Sequence, residues 1–550
     1  METIRCNNKK NYIYNLVKAS GVALLLSTVF LSPANAQLMG CDQIDQGGNI
    51  AASAVGGCIS KTLTEQVGMG HGNKNQFGSS TYIIKRDPAR SIRRGRQLFQ
   101  RKFTAEEGQG PRVNHASMGD ITHSRALGAG LSDSCAGCHG RPRGSAGHGG
   151  VVQTRPDSRD APHLFGLGLV EQLGDEMTRE LRRIRNRAIK KAANTGITQT
   201  KPLITKGIDF GFITADSNGD VDTSQVEGVN ENLRVLPFFH EGGTASIREF
   251  LIGALNAEMG VQAVDSILCA VTDPSNPVKK KSPAGFVFNP DLDTFERPSV
   301  CDVNDDPDGD GIKNEFDTAL VDHMEFYLLN YFKPGQYKVS KRAEKGLELM
   351  DEIGCTSCHT QDLVINKDRR VADAETYYDA NKGIFNELYT TVTALTTDVS
   401  DGDSYPLVVP NKDQFVVKNI FSDLKRHDLG PKFHERDWDG NVVKEFVTEP
   451  LWGVGSTAPY GHDGRSINLD SVIRRHGGEA QFSSDQYAQL NSNKRAYILE
   501  FLQTLVLFPP DDTASNLNPG NPGTSNPQDP AEHGSINLGA LFRITSEGAE

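Results

Sequence analysis

Apolar residues recur at helical spacing in a few strong stretches of the chain. In NKRAYILEFLQTLVLF, Tyr497, Ile498, Phe501, Leu502 and Leu505 form one stripe, and Pro509-Pro510 ends it. This predicts a helix buried on one face. DTALVDHMEFYLLNYF has the same character and stops at Lys333-Pro334-Gly335, which places a domain boundary near residue 335. Two shorter stretches, SIRRGRQLFQRKF and RAEKGLELMDEIG, each carry a glycine followed by apolar residues: Leu98 and Phe99 in one, Leu347, Leu349 and Met350 in the other. Their likeness suggests one helix repeated in each half. RELRRIRNRAIKK reads as a basic helix with a solvated face.

The two ends depart from this pattern. Lys9, Lys10 and Lys18 lead into the apolar run GVALLLSTVFL and then Ala34-Asn35-Ala36. Residues 1–36 are therefore expected to be a signal peptide, with the mature protein periplasmic or secreted. The run is too short for a stable membrane span, and no later stretch approaches about 20 apolar residues. After residue 510 the chain turns to ASNLNPGNPGTSNPQDP, so 511–550 is expected to be a disordered tail. Between the ends the expected order is an arm (37–90), a first domain (91–334) and a second (335–510). The 550 residues carry a formal charge of −12, which argues against nucleic-acid partners.

Cysteine usage changes the picture most. Once Cys6 leaves with the signal peptide, Cys41, Cys58, Cys269 and Cys301 stand alone, expected as disulfides Cys41–Cys58 and Cys269–Cys301 in an oxidising compartment. The others lie in SDSCAGCHGRPRG and GCTSCHT, two copies of C-x-x-C-H: Cys135, Cys138 and His139, then Cys355, Cys358 and His359. One turn of chain presents two thiols to the two vinyl groups on one edge of a haem, and the adjacent histidine reaches the iron. A zinc site would need a second ligand pair close by, and a redox dithiol does not require the histidine. Two covalently bound haem c groups are the expectation. The fold class follows: mainly α, two cytochrome c-like haem domains, with long loop-rich insertions in the first. The stretch from Cys138 to the boundary is far longer than a small haem carrier needs, and such insertions build pockets or interfaces.

DPDGDGIKNEFD places Asp306, Asp308 and Asp310 at alternate positions, followed by Gly311, Asn314 and Asp317. With the Ile312 carbonyl, this spacing suits a calcium loop, although it closes on Asp instead of the usual Glu. ADSNGDVDTS is less regular and reads as a turn.

In EPLWGVGSTAPYGHDGRSINLDSVIRRHGGEA the chain resembles the di-haem oxidoreductase family related to bacterial di-haem cytochrome c peroxidases. That superfamily also contains the enzyme that matures methylamine dehydrogenase and the rubber oxygenases. FSDLKRHDLGP, APHLFGLGLVEQL and EGVNENLRVLPFFHEGGTASIREFLIGALNAEMG extend the resemblance from about residue 91 to 508. It implies that His139 and His359 are proximal ligands and that His476 is the distal ligand of the C-terminal haem, making that haem a relay. The N-terminal haem becomes the reaction centre, with His148 as a reversible cap, or no cap, and Glu171 as a distal acid. Related peroxidases place a tryptophan from the N-terminal domain between the haems. Here the only tryptophans are Trp438 and Trp452, so a relay would use Tyr, Phe or a tryptophan from the other half. Trp452 reads as core. Phe238, Phe239 and His240 fall where the rubber-oxygenase branch has aromatic pocket residues.

The implied activity is peroxidase-like, with electrons passing from the C-terminal haem to an oxidant at the N-terminal haem. The partners would be a small redox protein, cytochrome c or cupredoxin, and hydrogen peroxide or dioxygen. The alternatives are a dioxygen-dependent oxidase or oxygenase of an organic substrate, and a di-haem electron-transfer cytochrome.

Overall fold

The computed structural model describes residues 70–507 apart from 111–131, 143, 150, 153–158, 308, 310, 382–387, 403–405 and 438–439. The chain divides into units 1–68 and 69–550, and every described residue belongs to the second. The leader, Cys41, Cys58, Trp438 and the tail lie outside the described residues, as do Asp308 and Asp310 of the calcium loop.

The predicted helices form. In chain order the principal ones are α1 (Pro88–Gln100), α2 (Cys135–His139), α3 (Leu167–Thr195), α4 (Ile247–Ala254), α5 (Thr318–Leu329), α6 (Lys341–Glu352), α7 (Leu469–Arg475) and α8 (Ser492–Thr504). Side chains cap their starts where the chain enters from extended backbone: Ser340 accepts the Ala343 N–H and Asn491 the Lys494 N–H, each satisfying one orphan donor of the first turn. Asp317, assigned from sequence to calcium, caps α5 through the Ala319 and Leu320 N–H groups. Asp306 of the same loop accepts the Gly311 N–H.

The two leading helices pack on the two closing helices in the same way. α1 lies on α5 and α6 on α8. The shared glycine explains the close approach: a Cβ on Gly95 would overlap the His323 carbonyl, and one on Gly346 would overlap the Tyr497 carbonyl. Leu349 and Met350 of α6 join Ile498, Phe501 and Leu502 of α8 in one buried cluster, where each side chain contributes roughly 1.5–3 kcal/mol by leaving water.

The mainly α expectation is overturned. The described residues are 34% helix and 19% strand, with many small sheets. β1 (Gln199–Thr205), β2 (Ile208–Ala215) and β3 (Val221–Asp222) make an antiparallel sheet against α3. Its buried positions Leu203 and Thr205, Ile208 and Phe210, and Ile213 and Ala215 are spaced two apart as on a half-buried strand, with a change of phase at buried Gly211. The second half is also interrupted by strands. β4 (Gly335–Gln336) pairs with the last strand, Leu505–Val506, and hairpins fill the stretch between Cys358 and α7. Most of these strands are two to four residues long. Pieces that short have no readable periodicity; tertiary pairing makes them.

α3 joins the halves. Glu176 on α3 accepts the N–H groups of Asn366 and Lys367 and pairs with Lys206 at 2.7 Å, while Gln172 accepts the Arg369 N–H at 2.6 Å. The exposed side of α3 carries most of the basic run, but Arg182 turns inward onto Asp293 at 2.6 Å. Cys269 and Cys301 are joined by a disulfide. No helix among the described residues is long and apolar enough to cross a membrane.

Candidate haem sites

Each C-x-x-C-H motif sits on one turn. Ser134 caps α2 by accepting the Gly137 N–H at 3.1 Å, and Cys135, Cys138 and His139 occupy that single turn. Cys355 opens a 3-10 turn, and the His359 N–H closes it onto the Cys355 carbonyl at 3.0 Å. All four thiols are unpaired. Burial pushes Cys135 up to about 12 and Cys355 to about 11, the opposite of the depressed thiol a redox dithiol needs.

The histidines of both motifs are oriented alike. His139 Nδ1–H donates to the Pro162 carbonyl at 2.7 Å, and His359 Nδ1–H to the Phe421 carbonyl at 2.9 Å. A carbonyl only accepts, so Nδ1 carries the proton and Nε2 presents its lone pair, with no hydrogen-bond partner for it among the described residues. Metal-ligating histidines are held in this way. Burial lowers the pKa of both rings, which keeps them neutral and able to bind iron. Two thiols on a turn, an oriented histidine and unpaired sulfurs fit a covalently attached haem at each motif.

His476 follows the last turn of α7. Its Nδ1–H donates to the Val472 carbonyl at 2.7 Å and the Phe433 ring stands edge-on at 5.5 Å. Burial, with His359 nearby, brings it down to about 4. His359 and His476 are thus two neutral histidines near one another, neither Nε2 having a hydrogen-bond partner among the described residues. His427, not singled out from sequence, lies between Asp423 (2.9 Å) and Glu479 (2.7 Å). Burial opposes its charge, but Asp423 and Cys358 outweigh that and raise it to about 11. Cys358, Asp423 and His427 place ligand atoms within 4.8 Å of one another. That trio shares its sulfur with the second motif.

Around His139 the histidines differ in their commitments. His163 uses both nitrogens: Nε2–H donates to the Trp452 carbonyl at 2.7 Å and Nδ1 accepts the Phe165 N–H at 3.2 Å. His240 lies between the Glu449 carboxylate (2.7 Å) and the Asp160 carbonyl (3.2 Å). His148 closes a tight bridge with Arg141, donating from Nδ1 to its carbonyl at 3.1 Å. Glu171 is 1% exposed. It accepts the Ile247 N–H at 2.7 Å at the start of α4 and pairs with Arg369 at 2.5 Å. None of the histidines around His139 is among its hydrogen-bond partners. Trp452 is buried, as expected of core, and its carbonyl holds His163. Sequence reasoning passed over His163, although APHLF contains it, and placed His240 of FFHEGG only beside the aromatic pocket residues Phe238 and Phe239. Their partners, in LWG and TEP, lie far along the chain.

Residues 360–505 match the family described as "Di-haem oxidoreductase, putative peroxidase". The match begins immediately after His359 and contains His476. No curated protein matches the chain. Among solved structures it is similar to hydrazine synthase of Kuenenia stuttgartiensis, pressurised with xenon, at 12% identity and a TM-score of 0.29, over 78% of this chain and 91% of that one; a likeness that low carries no argument. The match follows directly on the second C-x-x-C-H motif, so residues 360–505 are similar to a di-haem oxidoreductase domain.

Proposed function

We propose that the chain is an exported c-type di-haem oxidoreductase of peroxidase type. Electrons from a small cytochrome c or cupredoxin enter at the Cys355–His359 motif, and hydrogen peroxide is reduced at the Cys135–His139 motif. Bound haem would supply one-electron redox chemistry at iron. Two electrons and two protons convert each peroxide to two waters.

The observation that carries this reading is an asymmetry between the motifs. His359 has a second neutral histidine, His476, with an uncommitted Nε2, which favours a closed, six-coordinate relay. Near His139, His163 and His240 have both ring nitrogens engaged and His148 is held by Nδ1 in its bridge with Arg141, which favours an open position there. An open position is where an oxidant can bind.

Low-temperature EPR of the ferric holo-protein tests it. One low-spin and one high-spin haem are expected, with peroxide turnover against a reduced cytochrome. Two low-spin haems that persist on half-reduction would mean both irons are capped, His148 being the candidate at the first, and the protein would then be an electron carrier. Oxygen uptake that requires an organic substrate would instead identify an oxygenase.

A further inference from the structure

The two carbonyls that hold the motif histidines are tied to one short segment, Leu451–Trp452. On the N-terminal side, Pro162 accepts from His139, and the next residue, His163, donates from Nε2 to the Trp452 carbonyl at 2.7 Å. On the C-terminal side, Phe421 accepts from His359, and the residue before it, Ile420, accepts the Leu451 N–H at 3.1 Å. The Trp452 indole N–H reaches the Lys418 carbonyl at 3.4 Å. Its ring lies on Gly166, where a Cβ would overlap it and where φ is +73°; only glycine lets the chain after His163 run under the indole. The segment 160–166 around His163 is anchored further where Asp160 N–H donates to the His462 carbonyl at 2.8 Å and Leu164 N–H to the Ala146 carbonyl at 3.0 Å. Leu451 and Trp452 belong to the C-terminal half, so the carbonyl that orients His139 is positioned from outside its own domain.

We infer that Leu451–Trp452 is a shared brace for the two proximal histidines, and that His163 is the positioning residue that transmits it to His139. The hydrogen bond to Nδ1 sets how much imidazolate character a ligating histidine has, and with it the iron–histidine bond strength and the potential. Moving Pro162 by a few tenths of an ångström weakens that bond. His163 suits the task because both its nitrogens are satisfied while it is neutral: the Trp452 carbonyl accepts its one N–H and the Phe165 N–H donates to its lone pair.

The inference rests on the reading of His139 as a proximal ligand. The test compares holo-protein variants by haem content, by the iron–histidine stretching band of the reduced N-terminal haem and by the midpoint potentials of both haems. His163→Phe keeps the ring and removes both hydrogen bonds. It is expected to lower the N-terminal band and shift that potential positive, leaving the C-terminal potential where it was. His163→Gln restores a donor to the Trp452 carbonyl and is expected to return both readouts toward wild type. Trp452→Phe keeps the carbonyl and is expected to leave the band in place. His163→Leu serves if the phenylalanine variant does not load both haems. An unmoved band in the loaded His163→Phe or His163→Leu protein overturns the inference, as does a Trp452→Phe shift equal to theirs. Absence of haem from Cys135 and Cys138 in the wild-type protein would instead overturn the haem reading itself.

Discussion

Arg248 is wholly buried and faces three carboxylates: Asp265, Asp322 at 2.8 Å and Glu325 at 2.8 Å. Removing one member of such a group leaves charge without compensation in a low-dielectric interior. Arg248→Met is expected to cost about 3–5 kcal/mol, read as the fall in denaturant midpoint; a loss below about 1 kcal/mol would show that the carboxylates simply take up protons. Glu171 makes a different case. Burial pushes it up from 4.5 to about 7 despite Arg369, so the folded chain holds this proton at a pH where the unfolded chain has lost it. The contribution to stability is full below about pH 4.5 and disappears as the pH rises through about 7. Glu171→Gln should therefore flatten the stability–pH curve across that window. A slope unchanged from wild type would place the pH dependence in another residue.

At the scale of elements, the repeated helix crossing is the most exposed to test. Gly95 and Gly346 let α1 and α6 approach the backbones of α5 and α8. Those neighbours are main-chain atoms and cannot swing aside, so adding a methyl must separate the helices. Gly346→Ala and Gly95→Ala are each expected to destabilise by about 1–3 kcal/mol, although alanine is the better helix former. Thermal or denaturant unfolding measures it, and an alanine variant as stable as wild type would mean the helices cross with more room than this packing allows. The glycine, the apolar stripe and the proline stops were all legible in sequence. The sheet on α3 was legible too, in the alternation of QTKPLITKGIDFGFITA, but it was hidden by the expectation of a helical domain. The short hairpins of the second half carried no such signal.

At the scale of the molecule, charge bears on the electron partner. A chain of formal charge −12 favours a basic donor, and encounter between opposite charges slows as salt screens them. The second-order rate of reduction by a basic cytochrome c is expected to fall steadily with ionic strength and to exceed that of an acidic cytochrome. A rate indifferent to salt would remove electrostatic steering from the proposal.

Sequence alone determined the two cysteine–histidine motifs on which the proposed haem attachment rests. Cys135, Cys138 and His139, and Cys355, Cys358 and His359, need only one turn of chain to act together, and adjacency in sequence guarantees that. It also determined the long helices, because their stripes encode one buried face. Tertiary structure decided what each motif histidine leans on, since the Pro162 and Phe421 carbonyls lie 23 and 62 residues away. It decided that His476 comes near enough to His359 to feel its charge, that Glu171 sits against Arg369, and that Leu451–Trp452 touches the segments beside both motif histidines. Orientation of a ligand depends on partners that only packing brings close, and no local spacing records them.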